Sequence, residues 1–390
     1  MRDVEKPPLT VADVIRAHGA ELVRAMGSRL TSAHRKVLTH LSQCRTPALG
    51  GHVRVCNQCG DAKSFYNSCR DRHCPDCGGA RGQQWLEARA ADLLEVPYFH
   101  VVFTIPDELN PLVLGNKAAL YNVLFAAASR TLLEVAADER HLRAHIGFFA
   151  VLHTWGQLLQ LHPHLHCVIP AGGFSVDDGK PVVLRNRYFL PVKVLSVVFR
   201  GKFLDFLGEA FRDGKVHVAG GQSAFEQLVG NLHHKPWVVY AKQAFSTPHH
   251  VLRYLARYTH RVAITHHRLI SLQNGMVTFR YKDYRQRGET RVATMAAVEF
   301  VRRFLLHTLP HGLQRIRHYG FLSNRNRTEQ LVALKQAPLP GALLPTANVE
   351  GSTDPQPQAQ PTCPCCGGTT FELLPLPLVL ERPTSFWDTS

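Results

Sequence analysis

An α+β fold is predicted by two features: a helical, cysteine-rich N-terminal region, and a following series of apolar segments in strand–helix–strand–strand order. The segments are YFHVVFTIP (98–106), NKAALYNVLFAAASRTLLEVAAD (116–138), IGFFAVLHTWG (146–156) and HPHLHCVIPAGG (162–173). The second is long and amphipathic, as in a helix, and the other three have the length and apolar content of buried strands. This order predicts a sheet domain with helices packed on one face.

Changes in composition divide the chain into three parts. Residues 10–43 read as two helices, and another helical run spans about 83–94. The composition changes at Pro97, where the apolar segments begin. From about Gln336 it shifts to Pro, Ala, Gln and Thr, which predicts a flexible linker and tail. The predicted domains are therefore 1–95, 96–335 and 336–390.

The chain is basic, with 45 Lys+Arg against 30 Asp+Glu and a formal net charge of +15. This balance favours an anionic partner, nucleic acid before a membrane surface, and a basic protein with no such partner is the alternative. The first residues include no apolar signal segment, and no apolar run reaches the length of a membrane span. We therefore expect a soluble, cytoplasmic protein that does not enter a membrane.

Six of the ten cysteines lie between Cys44 and Cys77, which favours thiolate metal sites over disulfides in a chain without an export signal. Two CxxC pairs, Cys56/Cys59 and Cys74/Cys77, are each followed by glycine. Two such turns complete a tetrahedral four-cysteine site, so the spacing predicts structural zinc on these four residues. Redox-active or free thiol pairs are the alternative.

Further cysteines and histidines leave the ligand set open. Four neighbours of the CxxC pairs can replace a ligand or build a second site: Cys44, His52, Cys69 and His73. Near the C-terminus, CPCCGG (363–368) supplies Cys363 and Cys366 as half of a metal site, with no second pair following. The alternative is that these are small polar residues of the tail.

The stretch LHPHLHCVIPAGG contains a second candidate metal site. His164 and His166 are two residues apart, so on a strand they point to the same face and can share one ion. Two imidazoles leave positions on a metal open to water or a phosphate oxygen, which is typical of a catalytic site. His153 on the preceding strand is the expected third ligand, and the alternatives are His162, Gln160 and His100. Core or surface histidines without a metal are the competing interpretation.

The stretch STPHHVLRYLARYTHRVAI (246–264) predicts a helix on which Tyr254 and Tyr258 lie side by side. A parallel basic stripe consists of Arg253, Arg257 and Arg261. Arginine neutralises phosphates, and nearby positive charge favours deprotonation of a phenol, so this face suits attack on a phosphodiester. An ordinary aromatic pair in a core is the alternative, and Tyr281 and Tyr284 are other candidate nucleophiles.

The cysteine module, the HxH strand and the YxxxY helix occur in one order that resembles the rolling-circle insertion-sequence transposases of the IS91 group. These are two-tyrosine transposases of the HUH class with an N-terminal transposase zinc-binding domain. The likeness covers most of residues 10–330. It rests on SCRDRHCPDCGG, VLHTWGQLLQLHPHLHCVIPAGG, YLARYTHRVAI and EFVRRFLLHTLPHGLQRIRHYGFLSNRNR.

The resemblance implies an HUH-type catalytic domain with a central antiparallel sheet, placed after the helical zinc-binding domain. The HUH pair falls on His164 and His166, the nucleophiles on Tyr254 and Tyr258, and the third metal ligand on His153. The implied cofactors are structural Zn²⁺ and catalytic Mg²⁺ or Mn²⁺, although imidazole ligands by themselves also suit Zn²⁺.

The implied activity is metal-dependent nicking of single-stranded DNA at the ends of an element, followed by strand transfer through a 5′-phosphotyrosine. Arg253, Arg257 and Arg261 would hold the DNA backbone. Two rival functions remain open from the residues alone. One is a zinc-finger protein that binds DNA without catalysis, and the other is a metallohydrolase that uses the HxH site with water as nucleophile.

Overall fold

A computed structural model describes residues 9–90, 92–183, 190–245, 251, 262–286, 288–323, 327–337 and 362–377. The helices in these ranges are α1 (Val11–Met26), α2 (Ser32–Gln43), α3 (Pro75–Ala90), α4 (Asn110–Gly115), α5 (Lys117–Ala137), α6 (Val192–Arg212), α7 (Gly221–His233), α8 (Ala297–Leu306) and α9 (Arg327–Gln336). The strands are β1 (Gly51–Cys56), β2 (Ala62–Tyr66), β3 (Tyr98–Thr104), β4 (Ala144–Trp155), β5 (Leu161–Pro170), β6 (Gly172–Ser175), β7 (Pro181–Val183), β8 (Val239–Phe245), β9 (Leu269–Gln273), β10 (Met276–Asp283), β11 (Glu289–Ala296), β12 (Ile316–Gly320) and β13 (Phe371–Leu376). None of the described helices has the length and apolar character needed to cross a bilayer.

The described residues form two compact units, and each unit draws on separated stretches of the chain. The first lies within 1–79, 264–308 and 346–390, and the second within 80–263 and 309–345. This division differs from the three contiguous domains that composition predicts. The difference arises because distant segments pair within the first unit: β13 pairs with β1, and α8 packs against α1.

In the first unit, α1 begins at a capping box. The Asp13 N–H donates to the Thr10 hydroxyl at 3.1 Å, and the Thr10 N–H donates to the Asp13 carboxylate at 2.9 Å. Both donors would otherwise lack an intrahelical partner, so the box stabilises the start of the helix by about 1 kcal/mol. Beyond the cap, α1 buries an apolar face and packs against α2 and α8.

Two small antiparallel sheets complete the first unit, in the orders β13-β1-β2 and β11-β10-β9. In the first of them, Arg54 on the central strand lies opposite Lys63 and Leu373. The Arg54 guanidinium carbon is 4.5 Å from the ring centre of Phe65 and 5.3 Å from that of Phe371. Cation–π contact therefore links all three strands on one face of this sheet.

The second unit contains a seven-stranded sheet in the order β7-β6-β4-β5-β3-β8, with β12 paired to β4. All of its strand pairs are antiparallel, so the predicted antiparallel sheet is confirmed. The strand β5 lies between β4 and β3, and its buried residues alternate with partly exposed ones over its first half. Helix α5 packs on β4, β5 and α6, while α6 also contacts β8.

Several predicted elements match the structure closely. The strand predicted at 98–106 is β3, the helix predicted at 116–138 is α5, and the two further strands are β4 and β5. Helix α3, predicted at about 83–94, begins eight residues earlier because Pro75 fits the first turn of a helix. The helix predicted at 246–264 lies almost entirely outside the described residues.

The predicted flexible tail is corrected in part. Its residues 362–377 are folded, since they form a turn at CPCCGG and then the strand β13 on the edge of β1. Composition alone missed this strand, because FELLPL is short and contains a proline, which demotes a run to an edge strand or to none. Residues 338–361 and 378–390 are outside the described ranges.

Candidate active site and metal centres

Three histidines converge at the centre of the large sheet. His153 on β4 lies directly opposite His164 on β5, and His166 follows on the same face of β5. One ring nitrogen from each lies within 4.8 Å of the others. The structure thus brings together the three residues predicted as the ligands of a catalytic metal.

Hydrogen bonds fix the orientation of two of these rings. His164 Nδ1 donates to the backbone carbonyl of His162 at 2.7 Å, which leaves Nε2 as the atom with a lone pair. His166 Nδ1 is 2.8 Å from His100 Nε2, which leaves Nε2 of His166 as the ring nitrogen without this contact. His100, an alternative third ligand in the sequence, lies outside the cluster of three and contacts His166 instead. At metal sites, carboxylates and carbonyls commonly hold a histidine by the same kind of contact.

Burial keeps these imidazoles neutral. It lowers the pKa of His164 to about 3, with a smaller contribution from nearby His162. Burial also lowers the pKa of His166 well below its usual range, and that of His100 to about 4, the latter with help from Lys242. Neutral imidazole is the form that binds a metal, so at neutral pH the ring nitrogens are ready to coordinate.

The lowered pKa values predict a pH dependence of stability in metal-free protein. Below its ordinary pKa near 6.5 an unfolded histidine takes up a proton, whereas folded His164 stays neutral down to about pH 3. The free energy of unfolding should therefore fall as the pH drops from about 6.5 toward 3. Urea unfolding of EDTA-treated protein measures this decline, and His164→Gln should make it shallower. A decline in His164→Gln as steep as in the wild type would contradict the prediction.

A four-cysteine cluster lies in the first unit and consists of Cys44, Cys69, Cys74 and Cys77. The Sγ of Cys77 is 3.7 Å from that of Cys44 and 3.7 Å from that of Cys69, and Cys44 is 3.6 Å from Cys74. A tetrahedral zinc site with bonds of about 2.3 Å has sulfur–sulfur edges of about 3.8 Å. We call this set the first cysteine cluster; its spacing fits one zinc ion.

A second set, the second cysteine cluster, consists of Cys56, Cys59, Cys363 and Cys366. Its sulfur atoms also lie within 4.8 Å of one another. Cys56 is the last residue of β1 and Cys59 lies in the turn that follows, while the other two residues come from the turn that precedes β13.

The predicted grouping of Cys56, Cys59, Cys74 and Cys77 into one site is therefore corrected. The two CxxC pairs belong to different clusters, because one pair sits in a hairpin turn and the other at the start of α3. Cys44 and Cys69, noted in the sequence as possible replacements, complete the first cluster. The short spacing of five residues between Cys69 and Cys74 could have identified Cys69 as a member of the first cluster. No local sequence feature links Cys363 to Cys59.

The two histidines near the cysteines have other partners. His73 Nδ1 is 2.9 Å from the Asp71 carboxylate, which also lies 2.9 Å from His40 Nδ1. These hydrogen bonds lower the pKa of Asp71 well below its usual range, even though burial by itself would raise it. His52 stacks on Phe65 at 5.5 Å. Neither histidine belongs to a cysteine cluster.

The predicted nucleophiles Tyr254 and Tyr258 lie outside the described residues. The same holds for the predicted DNA-binding residues Arg253, Arg257 and Arg261. The alternative nucleophiles are described: Tyr281 lies on β10 and Tyr284 follows it, both within the first unit. The three histidines belong to the second unit.

Two family models match the chain. Residues 14–105 match a model described as "Transposase zinc-binding domain", and this range contains the first cysteine cluster. Residues 147–330 match a model described as "Putative transposase", and this range contains the three histidines and both predicted tyrosines. The zinc-binding character predicted for the N-terminal region is thus supported independently of the cysteine geometry.

Two relatives extend this match over most of the chain. "Putative transposase y4qJ" of Sinorhizobium fredii is 51% identical over 327 residues, which cover 82% of this chain and 82% of that protein. "Transposase for insertion sequence element IS801" of Pseudomonas savastanoi pv. phaseolicola is 29% identical over 307 residues, or 74% of this chain and 70% of that protein. No solved structure matches the chain. On these matches, the chain belongs to the IS91 group of insertion-sequence transposases, whose substrate is DNA.

Proposed function

We propose that this transposase cuts and transfers single strands of DNA by HUH-type chemistry, in rolling-circle transposition of an insertion sequence. The observation that carries the proposal is the convergence of His153, His164 and His166 on two neighbouring strands. Three imidazoles leave the remaining positions on an ion open, as catalysis requires. A closed structural site would instead be filled by four protein ligands, as in the cysteine clusters.

The donor set fits a divalent metal. All three donors are imidazole nitrogens, and burial holds His164 and His166 in the neutral state that coordinates. A bound Mg²⁺ or Mn²⁺ would polarise the scissile phosphate and neutralise the charge that develops on it. Imidazoles equally suit Zn²⁺, so the metal used in catalysis is to be identified by assay.

The tyrosines supply the nucleophiles in this proposal. The phenolate oxygen of Tyr254 or Tyr258 forms a bond to phosphorus while the bond from phosphorus to the 3′ oxygen breaks. The products are a 5′-phosphotyrosine and a 3′ oxygen that takes up a proton. A later attack by a 3′-hydroxyl on the phosphotyrosine releases the tyrosine and rejoins the strand. A second tyrosine allows a second cut while the first end remains attached.

The remaining predicted residues bind DNA or support the fold. Arg253, Arg257 and Arg261 would neutralise phosphates next to the cleaved bond. The first cysteine cluster would hold a structural zinc ion within the domain that recognises an element end. A net charge of +15 supports contact with a long stretch of DNA backbone.

The test is a cleavage assay on labelled single-stranded oligonucleotides drawn from the sequences that flank the gene. Protein and DNA are incubated with Mg²⁺, Mn²⁺, Zn²⁺ or EDTA and run on a denaturing protein gel. We expect a shifted, covalent protein–DNA band that requires a metal. His166→Ala should lower its rate of formation by roughly 10³-fold, since one of three metal ligands is lost.

The matched control is His145→Gln, which changes an exposed histidine on β4 and should keep the wild-type rate. Three outcomes separate the functions. A metal-dependent covalent band supports the proposal, and cleaved DNA without a band identifies a metallohydrolase. Binding to an element end without any cleavage identifies a DNA-binding protein that lacks catalysis.

A further inference from the structure

The C-terminal segment 362–377 returns to the cysteine-rich part of the first unit. Strand β13 pairs with β1 along its whole length, with Gly51 opposite Leu376 and Cys56 opposite Phe371. At the end of this ladder, the Asn57 N–H donates to the Thr370 carbonyl at 3.1 Å. This pairing places the CPCCGG turn beside the turn between β1 and β2.

The two turns have the same construction. The Gly60 N–H donates to the Cys56 carbonyl at 2.9 Å, and the Gly367 N–H donates to the Cys363 carbonyl at 2.8 Å. Both glycines have left-handed backbones, with φ of 71° and 76°, a conformation that favours glycine. Each turn therefore brings the two thiols of its CxxC pair toward the same point, as in a zinc knuckle.

The thiols of the two turns face each other at zinc-site distances. Cys56 Sγ lies 3.6 Å from Cys366 Sγ, and Cys59 Sγ lies 3.6 Å from Cys363 Sγ. These separations match the edges of about 3.8 Å in a tetrahedral thiolate site, and they far exceed a disulfide bond of about 2.0 Å. Cys365, in the middle of the same turn, is exposed and outside the cluster.

Burial of apolar surface contributes little to holding β13 in place. Leu373 is 61% exposed and Leu374 is 44% exposed, so the strand keeps much of its apolar surface in water. A three-stranded sheet with so little burial is marginal by itself, whereas zinc binding to four thiolates contributes strongly to folding. A metal ion is thus the strongest available attachment for this segment.

We infer that Cys56, Cys59, Cys363 and Cys366 bind a second structural zinc ion, which fastens the C-terminal segment to the β1–β2 hairpin. The inference goes beyond the proposed DNA cleavage and does not depend on it. It also extends the zinc-binding region past both matched family models, which end at residues 105 and 330. The first unit then holds two zinc ions, and the second is completed only by residues near the far end of the chain.

Cobalt substitution of the full-length protein tests the inference. Thiolate ligands of Co²⁺ give a sulfur-to-cobalt charge-transfer absorption that histidine ligands do not, so the signal counts thiolates and ignores the histidine site. The wild type should show the signal of both four-cysteine clusters, and Cys363→Ser/Cys366→Ser should show half of it, because Cys56 and Cys59 alone do not retain the ion. Cys365→Ser is the matched control and should keep the full signal. An undiminished signal in the double variant, or an equal loss in the control, would overturn the inference.

A measurement on the unmodified chain covers the case in which the double variant fails to fold. Native protein is alkylated with iodoacetamide before and after removal of zinc by a chelator, and each cysteine is then followed by mass spectrometry. Zinc should protect Cys363 and Cys366, while Cys365 reacts in both states. Equal reactivity of Cys363 and Cys366 with and without zinc would contradict a metal at this site.

Discussion

Replacing both Tyr254 and Tyr258 by phenylalanine should remove the covalent protein–DNA band completely. Phenylalanine keeps the aromatic ring but lacks the oxygen that forms the bond to phosphorus, so no phosphotyrosine can form. The three-histidine site and the net charge are unchanged by this replacement, so single-stranded DNA and a metal should still bind. Gel shift measures the DNA binding, and a denaturing protein gel measures the adduct.

The matched control changes the other two candidate tyrosines. Tyr281 and Tyr284 belong to the first unit, and Tyr284 is 71% exposed, so Tyr281→Phe/Tyr284→Phe removes two phenols with little effect on packing. This variant should form the adduct at the wild-type rate. If it loses the adduct instead, the nucleophile lies on β10 or just after it. If Tyr254→Phe/Tyr258→Phe still cleaves DNA at the wild-type rate and forms no adduct, the tyrosine mechanism is wrong and water is the attacking group.

The second large effect is expected at the first cysteine cluster. Cys74 is fully buried and its sulfur is 3.6 Å from that of Cys44, so Cys74→Ser removes one of four ligands where water cannot readily replace it. Zinc bound to a four-cysteine site contributes about 10 kcal/mol or more to folding, which exceeds the net stability of many domains. We therefore expect the first unit to lose its zinc and unfold.

Limited proteolysis and metal analysis measure that outcome. In Cys74→Ser, cleavage should appear within 9–79, while the large sheet of the second unit stays resistant. Cys365→Ser again provides the control, because it removes an exposed thiol outside both clusters. A Cys74→Ser protein with normal zinc content and normal resistance would mean that this cluster holds no structural metal.

The strands and the clustering of the histidines could be predicted from the sequence because the patterns that indicate them are local. The period of two in LHPHLHCVIPAGG places His164 and His166 on one face, and a hairpin partner such as His153 follows from strand order. His100 was harder to place. It is one strand further away, and only the sheet order shows that β3 brings its ring behind His166.

The pairing of the cysteines could not be read from the sequence. CxxC spacing identifies a turn that gathers two thiols, but it does not say which second pair completes the tetrahedron. Cys56 and Cys59 lie much closer in sequence to Cys74 than to Cys363, so proximity favoured the wrong partner. Strand pairing between β1 and β13 determines which cysteines lie beside Cys56 and Cys59. That pairing is a long-range contact with no local sequence pattern.

The second cysteine cluster also makes the folding of the first unit depend on residues that are synthesised late in translation. Cys59 and Cys363 are 304 positions apart, so the ribosome must synthesise the whole second unit before the two turns can meet. During that interval Cys56 and Cys59 lack their two partner cysteines, whereas all four residues of the first cysteine cluster are already present. A transposase shortened by a frameshift or a stop codon before residue 363 would keep the first cysteine cluster but lack the second. Both clusters can therefore form only in a chain that includes Cys363 and Cys366.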